Sequence, residues 1–372
     1  MDTTATTHMA LPQPSVTNET LSKGRTGHCV ALKGMLRSDG VVVYLAQAHH
    51  SSYSRDSLKL LHSSVRLLAS NYLSAHCDDV MFLHFGEVSL AEQEALLELT
   101  GNVSARFHLL DEHYRTTPPG TPPESLWKLR HKFSAGYRHM IRLFTVGLWR
   151  LMAQQGYAYV MRLDEDSMIL SSISYNVFSF MRDAKLDYVF RLAAWETGGF
   201  KFNFHAFVRD YLVKKKLQPT WLLDTCANKS VAAFYQENCG PIYGFYNNWF
   251  ASRVSFWLRP DVQEFLNHVD ASHVIYTHRA GDLLWHSAAV QTFLERDRVR
   301  MLRGFDYAHA TYSTVRNRTR PCVWYGGIAL GDTVFNQSAA WHQLSEVRNN
   351  AKLNPPKTAS LNIPIRASEL LT

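Results

Sequence analysis

The chain has 372 residues, 46% hydrophobic and 19% charged, with a formal net charge of +7. That is ordinary globular composition with enough apolar residues for a sizeable core, and it excludes a collagenous or low-complexity chain. The charge is mildly basic, but the longest basic cluster is "VKKKL", so no nucleic acid partner is required, and a basic cleft for a phosphorylated ligand fits equally well.

Residues 1–38 are rich in Thr, Ser, Pro and Gly and show no period, which predicts a flexible tail. The start has neither a positive n-region nor an apolar core, and no apolar run is long enough to span a bilayer. Neither a signal peptide nor a membrane anchor is therefore visible. "GVVVYLAQ" then predicts a buried strand, continuous and β-branched. "SRDSLKLLHSSVRLLASNYL" follows with Leu60, Leu61, Val65, Leu68 and Tyr72 at helical spacing.

"DVMFLHFG" is a second strand. "SLAEQEALLELTG" reads as a short helix opened by a capping box, Ser89 and Glu92, and stopped at Gly101. "ARFHLL" is a third strand candidate, and a proline-rich loop, "TTPPGTPPES", follows. Next come a long apolar-faced helix, "GYRHMIRLFTVGLWRLMAQQ", and the strand "YAYVMRL". "YNVFSFMRDA" reads as a helix and "DYVFRLAAW" as a strand. The alternation predicts an α/β fold on a mostly parallel sheet, in which ligands bind at the carboxyl ends of strands.

The strand "YAYVMRL" runs into three acids, Asp164, Glu165 and Asp166. In an extended segment Asp164 and Asp166 share one side and Glu165 takes the other. Two carboxylates side by side repel unless a cation lies between them. A D-x-D pair at a strand end suits a divalent ion finished by substrate phosphates, where it acts as a Lewis acid on a leaving diphosphate. The plainer alternative is a polar loop that ends a buried strand.

Four further features keep two readings each. "RAGDLLWHSAAV" places Asp282 and His286 one helical turn apart; with the carboxylates this favours Mn2+, and otherwise it is a helix-start aspartate with a packed histidine. Arg138 and Arg142 share a helix face and either grip phosphates or form a solvated stripe. Arg162, inside an apolar strand, needs a partner, either the acids or a donor phosphate. "PIYGFYNNWFASRVSFW", with Asn247 and Asn248, offers aromatic faces and amides for a sugar ring, or is core and turn.

The five cysteines, Cys29, Cys77, Cys226, Cys239 and Cys322, contain no CxxC pair, which argues against a structural zinc site; they allow two disulfides or none. Five sequons, at Asn18, Asn102, Asn228, Asn317 and Asn336, point to a secretory route. The missing leader points instead to the cytoplasm, or to a longer precursor.

"YRHMIR", the strand with its acidic triplet, the "YNN…F" block and "GDLLWHS" occur in this order, and over about residues 40–310 the chain resembles the fungal Golgi α-1,2-mannosyltransferase family. The resemblance implies a GT-A fold and a retaining transfer of mannose from GDP-mannose to a glycan or glycoprotein acceptor, with Mn2+, in the Golgi. The family triplet is Glu-Pro-Asp where this chain has Asp164, Glu165 and Asp166. The resemblance puts the metal on Asp164, Asp166 and His286. The family's Tyr-Arg segment falls on Tyr137 and Arg138 and its arginine before the triplet on Arg162. With Arg142 from the same helix face as Arg138 these are the expected diphosphate ligands, and Asp282 is the expected contact with sugar or acceptor. The family's proposed nucleophile, a glutamate, falls on Phe250, so double displacement through that residue is closed. Transfer on one face, another nucleotide-sugar donor and a binding paralogue without turnover are the remaining expectations. The expected domains are a tail to residue 38, a GT-A-like domain over 39–315 and a C-terminal extension over 316–372.

Overall fold

The computed structural model describes residues 21–33, 38–48, 57–127, 133–196, 203–217, 242–309, 312–315 and 318–321. Their main sheet has eight strands. These are β1 (Ser22–Lys23), β2 (Gly40–Leu45), β3 (Asp79–His84), β4 (Ala105–Leu109), β5 (Tyr159–Leu163), β7 (Tyr188–Phe190), β10 (Trp249–Arg253) and β11 (Val299–Met301). Their spatial order is β1-β4-β3-β2-β5-β10-β7-β11. The pairs β4–β3, β3–β2, β2–β5 and β7–β11 are parallel, so the sheet is mixed and mostly parallel.

The continuous apolar runs are explained by burial on both faces. Along β2, Val41, Val43 and Leu45 enter one core, while Val42 and Tyr44 enter the other. The first core takes the helices Leu148–Gln154, Pro260–Ala271 and Asp282–Phe293; the second takes Ser57–Leu68 and Val177–Asp183. No position along such a strand meets water, so no polar alternation is needed. The close approach has a local requirement at Gly40, where a Cβ would lie 2.4 Å from the Phe178 ring. The predicted cap at Ser89 forms, its hydroxyl accepting from Glu92 N at 3.3 Å.

Three expectations are revised. The tail does not extend to residue 38: β1 pairs with β4, Arg25 meets the buried Asp79 at 2.5 Å, and Cys29 is disulfide-bonded to Cys77 with Cα atoms 5.4 Å apart. Residues 1–20 and 34–37 lie outside the described residues, as do Cys226, Cys239 and Cys322. The strand expected over "DYVFRLAAW" divides into β7 and β8 (Ala193–Glu196), the latter paired antiparallel with β9 (Ile242–Phe245). The break falls at Arg191, whose guanidinium donates to Phe305 O at 3.0 and 2.7 Å. The long helix is also interrupted: a π-helical turn over Leu143–Gly147 separates Ala135–Arg142 from Leu148–Gln154.

A second, four-stranded antiparallel sheet joins β6 (Met168–Ile169), β12 (Tyr307–His309), β13 (Tyr312–Val315) and β14 (Arg318–Pro321). β14 falls within the expected C-terminal extension, and residues 322–372 lie outside the described residues. This small sheet positions the site, because β6 follows directly on the acidic triplet.

Candidate active site

All five residues of β5 are buried, and the strand leaves the sheet at Asp164, on its carboxyl end. A tight turn, rather than extended chain, then brings the acids together. Ser167 N donates to Asp164 O at 3.0 Å, and Asp164 N lies 3.2 Å from Asn248 O and 3.3 Å from Ser167 Oγ. The Ser167 hydroxyl in turn donates to Asn248 O at 2.9 Å and meets Tyr307 Oη at 2.9 Å. The pairing of Tyr307 with Ile169 and of Ala308 with Met168 carries His309 up to the acids.

Asp164, Asp166 and His309 offer ligand atoms that all lie within 4.8 Å of one another. His309 Nε2 is 2.8 Å from Asp166 Oδ1 and 3.8 Å from Asp164 Oδ2. Asp164 is held from both sides: Arg162 Nε donates to its Oδ1 at 2.8 Å, and the Asn248 amide donates to its Oδ2. Two carboxylates and one imidazole are a donor set suited to Mn2+, with coordination positions left for phosphate oxygens.

The electrostatics show a site short of positive charge. Burial pushes the Asp164 carboxyl up, and Arg162 and His309 offset this only in part. Burial, with Asp166 and Asp164 beside it, pushes Glu165 up to about 8. Burial works against the charged form of His309, but Asp166 and Asp164 outweigh it and its pKa is raised. Carboxylates that resist ionising together favour a cation among them.

His286, the expected ligand, is not at this site. It is fully buried, its Nε2 donating to Phe144 O at 3.0 Å and its Nδ1 facing Tyr188 Oη at 3.4 Å. The carbonyl it meets belongs to the π-helical turn. Trp149, Trp257 and Phe250 pack around the ring, and burial pushes its pKa down to about 4. The histidine beside the acids is His309, which sequence inspection missed; strand pairing, which leaves no local motif, puts it there.

Three of the predicted diphosphate ligands, Tyr137, Arg138 and Arg142, are engaged elsewhere, and Arg162 is held at the cluster itself. Arg138 is buried over the Trp127 ring, with Nε donating to Tyr276 O at 2.9 Å and Nη1 to Phe133 O and Ser134 O. Arg142 forms a bidentate pair with Asp270, at 2.7 and 2.8 Å. Tyr137 Oη accepts from Arg279 at 3.0 Å. Arg162 bridges Asp164 and Asp282, and its guanidinium lies 3.6 Å from the Phe144 ring centroid. Burial alone would lower the Arg162 pKa, but its two carboxylate partners raise it. Burial would raise Asp282, but Arg162 and His286 bring it below the usual carboxylate range. Asp282 is thus joined to the metal-competent cluster through Arg162. Phe250 pairs with Arg162 across β10 and β5, fully buried and stacked on Tyr188. Asn248, which the sequence leaves between sugar contact and a turn, lies in the turn before β10 and orients Asp164.

The model of the family described as "Glycolipid 2-alpha-mannosyltransferase" matches residues 125–325, a span that includes the three cluster residues and Arg162. The chain is 22% identical over 265 residues to glycolipid 2-alpha-mannosyltransferase 1 of Candida albicans, covering 68% of this chain and 60% of that protein. The chain thus spans less than two thirds of that relative's length. The crystal structure of core-mannan synthase A (CmsA/Ktr4) from Aspergillus fumigatus, in a Mn/GDP form, superposes with TM-score 0.66 at 16% identity, covering 74% of this chain and 76% of that one. The mannosyltransferase Ktr4p of Saccharomyces cerevisiae in complex with GDP gives 0.64 at 17%, covering 90% and 87%. At these identities the likeness establishes the fold, which is GT-A.

Proposed function

The chain belongs to the glycolipid 2-alpha-mannosyltransferase family, and from that premise we propose that it is a metal-dependent retaining glycosyltransferase moving mannose from GDP-mannose onto a glycan hydroxyl. The observation that carries the reading is the Asp164, Asp166 and His309 cluster at the carboxyl end of β5. A Mn/GDP form in one structural neighbour and a GDP complex in another agree with that donor and metal.

Asp164, Asp166 and His309 would hold Mn2+. Bound there, the ion supplies Lewis-acid stabilisation of the departing diphosphate. Arg162 and Asn248 fix the Asp164 carboxylate, so that no reorganisation is needed when charge develops. Asp282, held by Arg162 at the start of its helix, is the carboxylate assigned to contact with sugar or acceptor. With Phe250 packed in the sheet, no carboxylate at that position can form a glycosyl intermediate. The proposed route is transfer with retention on one face of the sugar, the leaving diphosphate helping to deprotonate the acceptor.

A secretory location goes with this reading, supported by the Cys29–Cys77 disulfide, which persists in oxidising compartments. Among the described residues no helix is long and apolar enough to cross a membrane.

The test is transfer of labelled mannose from GDP-mannose to methyl α-mannoside, with Mn2+ or with chelator. The reading expects Mn2+-dependent product with the α configuration, lost in Asp166→Asn. Mn2+-dependent nucleotide binding without any product from any sugar donor would instead make the chain a binding paralogue.

A further inference from the structure

The turn joining β9 to β10, residues 246–248, faces the metal-competent cluster with two side chains. One is Asn248, whose amide donates to Asp164. The other is Tyr246, whose hydroxyl oxygen lies 2.7 Å from His309 Nδ1, with the two rings set edge-on at 74° and 5.4 Å between centroids. The turn is anchored from behind, where Tyr246 N donates to Leu192 O at 2.9 Å. A single short segment thus touches two of the three candidate ligands.

The two nitrogens of His309 face different neighbours. Nε2 points at Asp166 and Asp164; Nδ1 points at Tyr246. A neutral imidazole carries one proton, and only the bare nitrogen can bind a metal ion. If the proton sits on Nε2, the ring donates to Asp166 and cannot act as a ligand. If it sits on Nδ1, Nε2 presents its lone pair into the cluster, and the Nδ1 proton requires an acceptor. The phenolic oxygen is placed to be that acceptor, and accepting still leaves its own proton to donate.

We propose that Tyr246 is a positioning residue of the metal site: its hydroxyl oxygen accepts the Nδ1 proton of His309 and holds the ring in the tautomer that leaves Nε2 free for a divalent ion. This rests on the metal-dependent reading above. Partners of this kind set both the tautomer and the orientation of a ligating histidine, and losing one weakens metal binding by roughly ten- to a hundred-fold.

The test uses the full chain with Tyr246→Phe, which keeps the ring and removes the acceptor. Mn2+ affinity is measured by titration calorimetry without nucleotide, beside thermal unfolding. The expected result is a ten- to hundred-fold weaker Mn2+ affinity at an unchanged unfolding midpoint, with turnover restored by excess Mn2+ and the KM for donor little altered. A purely structural role would instead lower the midpoint and leave turnover deficient at any Mn2+ concentration. As a second measurement that needs no variant, nitrogen-15 shifts of wild type loaded with diamagnetic Cd2+ should show the His309 proton on Nδ1 and none on Nε2, whereas without metal Nε2 keeps a proton for Asp166, 2.8 Å away. Affinity in Tyr246→Phe within twofold of wild type, or a His309 Nδ1 without its proton in the Cd2+-loaded wild type, overturns the inference alone. Wild type that binds no Mn2+ overturns the metal-dependent reading together with it.

Discussion

Replacing Arg162 with methionine is the sharpest structural test of the site. The side chain is nearly fully buried, at 2% exposure, and it joins Asp164 to Asp282, whose side chains are 16% and 12% exposed. Unit charges about 4 Å apart attract by about 4 kcal/mol at an effective dielectric near 20, but desolvating each ion costs several kcal/mol, so the intact network contributes little net stability. Breaking it differs from never having it: methionine fills much of the volume and leaves two carboxylates without their cation. Loss of one partner of a buried pair costs about 3–5 kcal/mol. The pH dependence has a defined sign. Without the guanidinium both folded-state carboxyl pKa values rise above those of the unfolded chain. The folded variant then binds more protons than the unfolded chain, and its deficit grows as pH rises above the ordinary carboxylate range. Urea unfolding at pH 7 should show the full loss, and at pH 4.5 a smaller one. Adding Asp282→Asn to Arg162→Met should recover about half the loss, since it removes one stranded charge. A deficit below about 1 kcal/mol, or one independent of pH, would refute the account of Arg162 as the bridge between these carboxylates.

His286 is held neutral, with its pKa pushed down to about 4 by burial. A depressed histidine contributes stability that is present above the unfolded pKa and lost as pH falls through the folded one. Between pH 7 and 5 the stability advantage of wild type over His286→Gln should shrink by about 2 kcal/mol, measured by denaturant midpoints. In the same variant Mn2+ affinity should be unchanged. The Cys29–Cys77 disulfide closes a loop with a sequence separation of 48. Its removal in Cys29→Ser/Cys77→Ser should lower stability by about 2–4 kcal/mol by calorimetry, without altering Mn2+ affinity.

The parts of this molecule legible in its sequence are those set by local pattern. β2, β3 and β5 read as short, mostly apolar runs because both faces are covered, and the helix after Ser89 announces itself by its cap. The acids could be placed because they follow directly on β5. What escaped notice depends on residues far apart in the chain. His309 reaches Asp166 only through the β6–β12 pairing, and the "GDLLWHS" histidine looked equally suited until the fold buried it against Phe144. Arg142 keeps its two sequence readings, phosphate grip or solvated stripe, because its partner Asp270 lies 128 residues away. Arg162 finds one expected partner among the acids at Asp164 and a second, Asp282, 120 residues away. The start of the chain looked like a tail because β1 is only two residues long and its staple is a disulfide.

The central claim is that Asp164, Asp166 and His309 form a cation-dependent diphosphate site. Titration of GDP into wild type and Asp166→Ala, each with and without Mn2+, tests it most directly. The account predicts binding that requires Mn2+ in wild type and is lost in the variant. GDP affinity that is the same with and without Mn2+, or unchanged by Asp166→Ala, would contradict it.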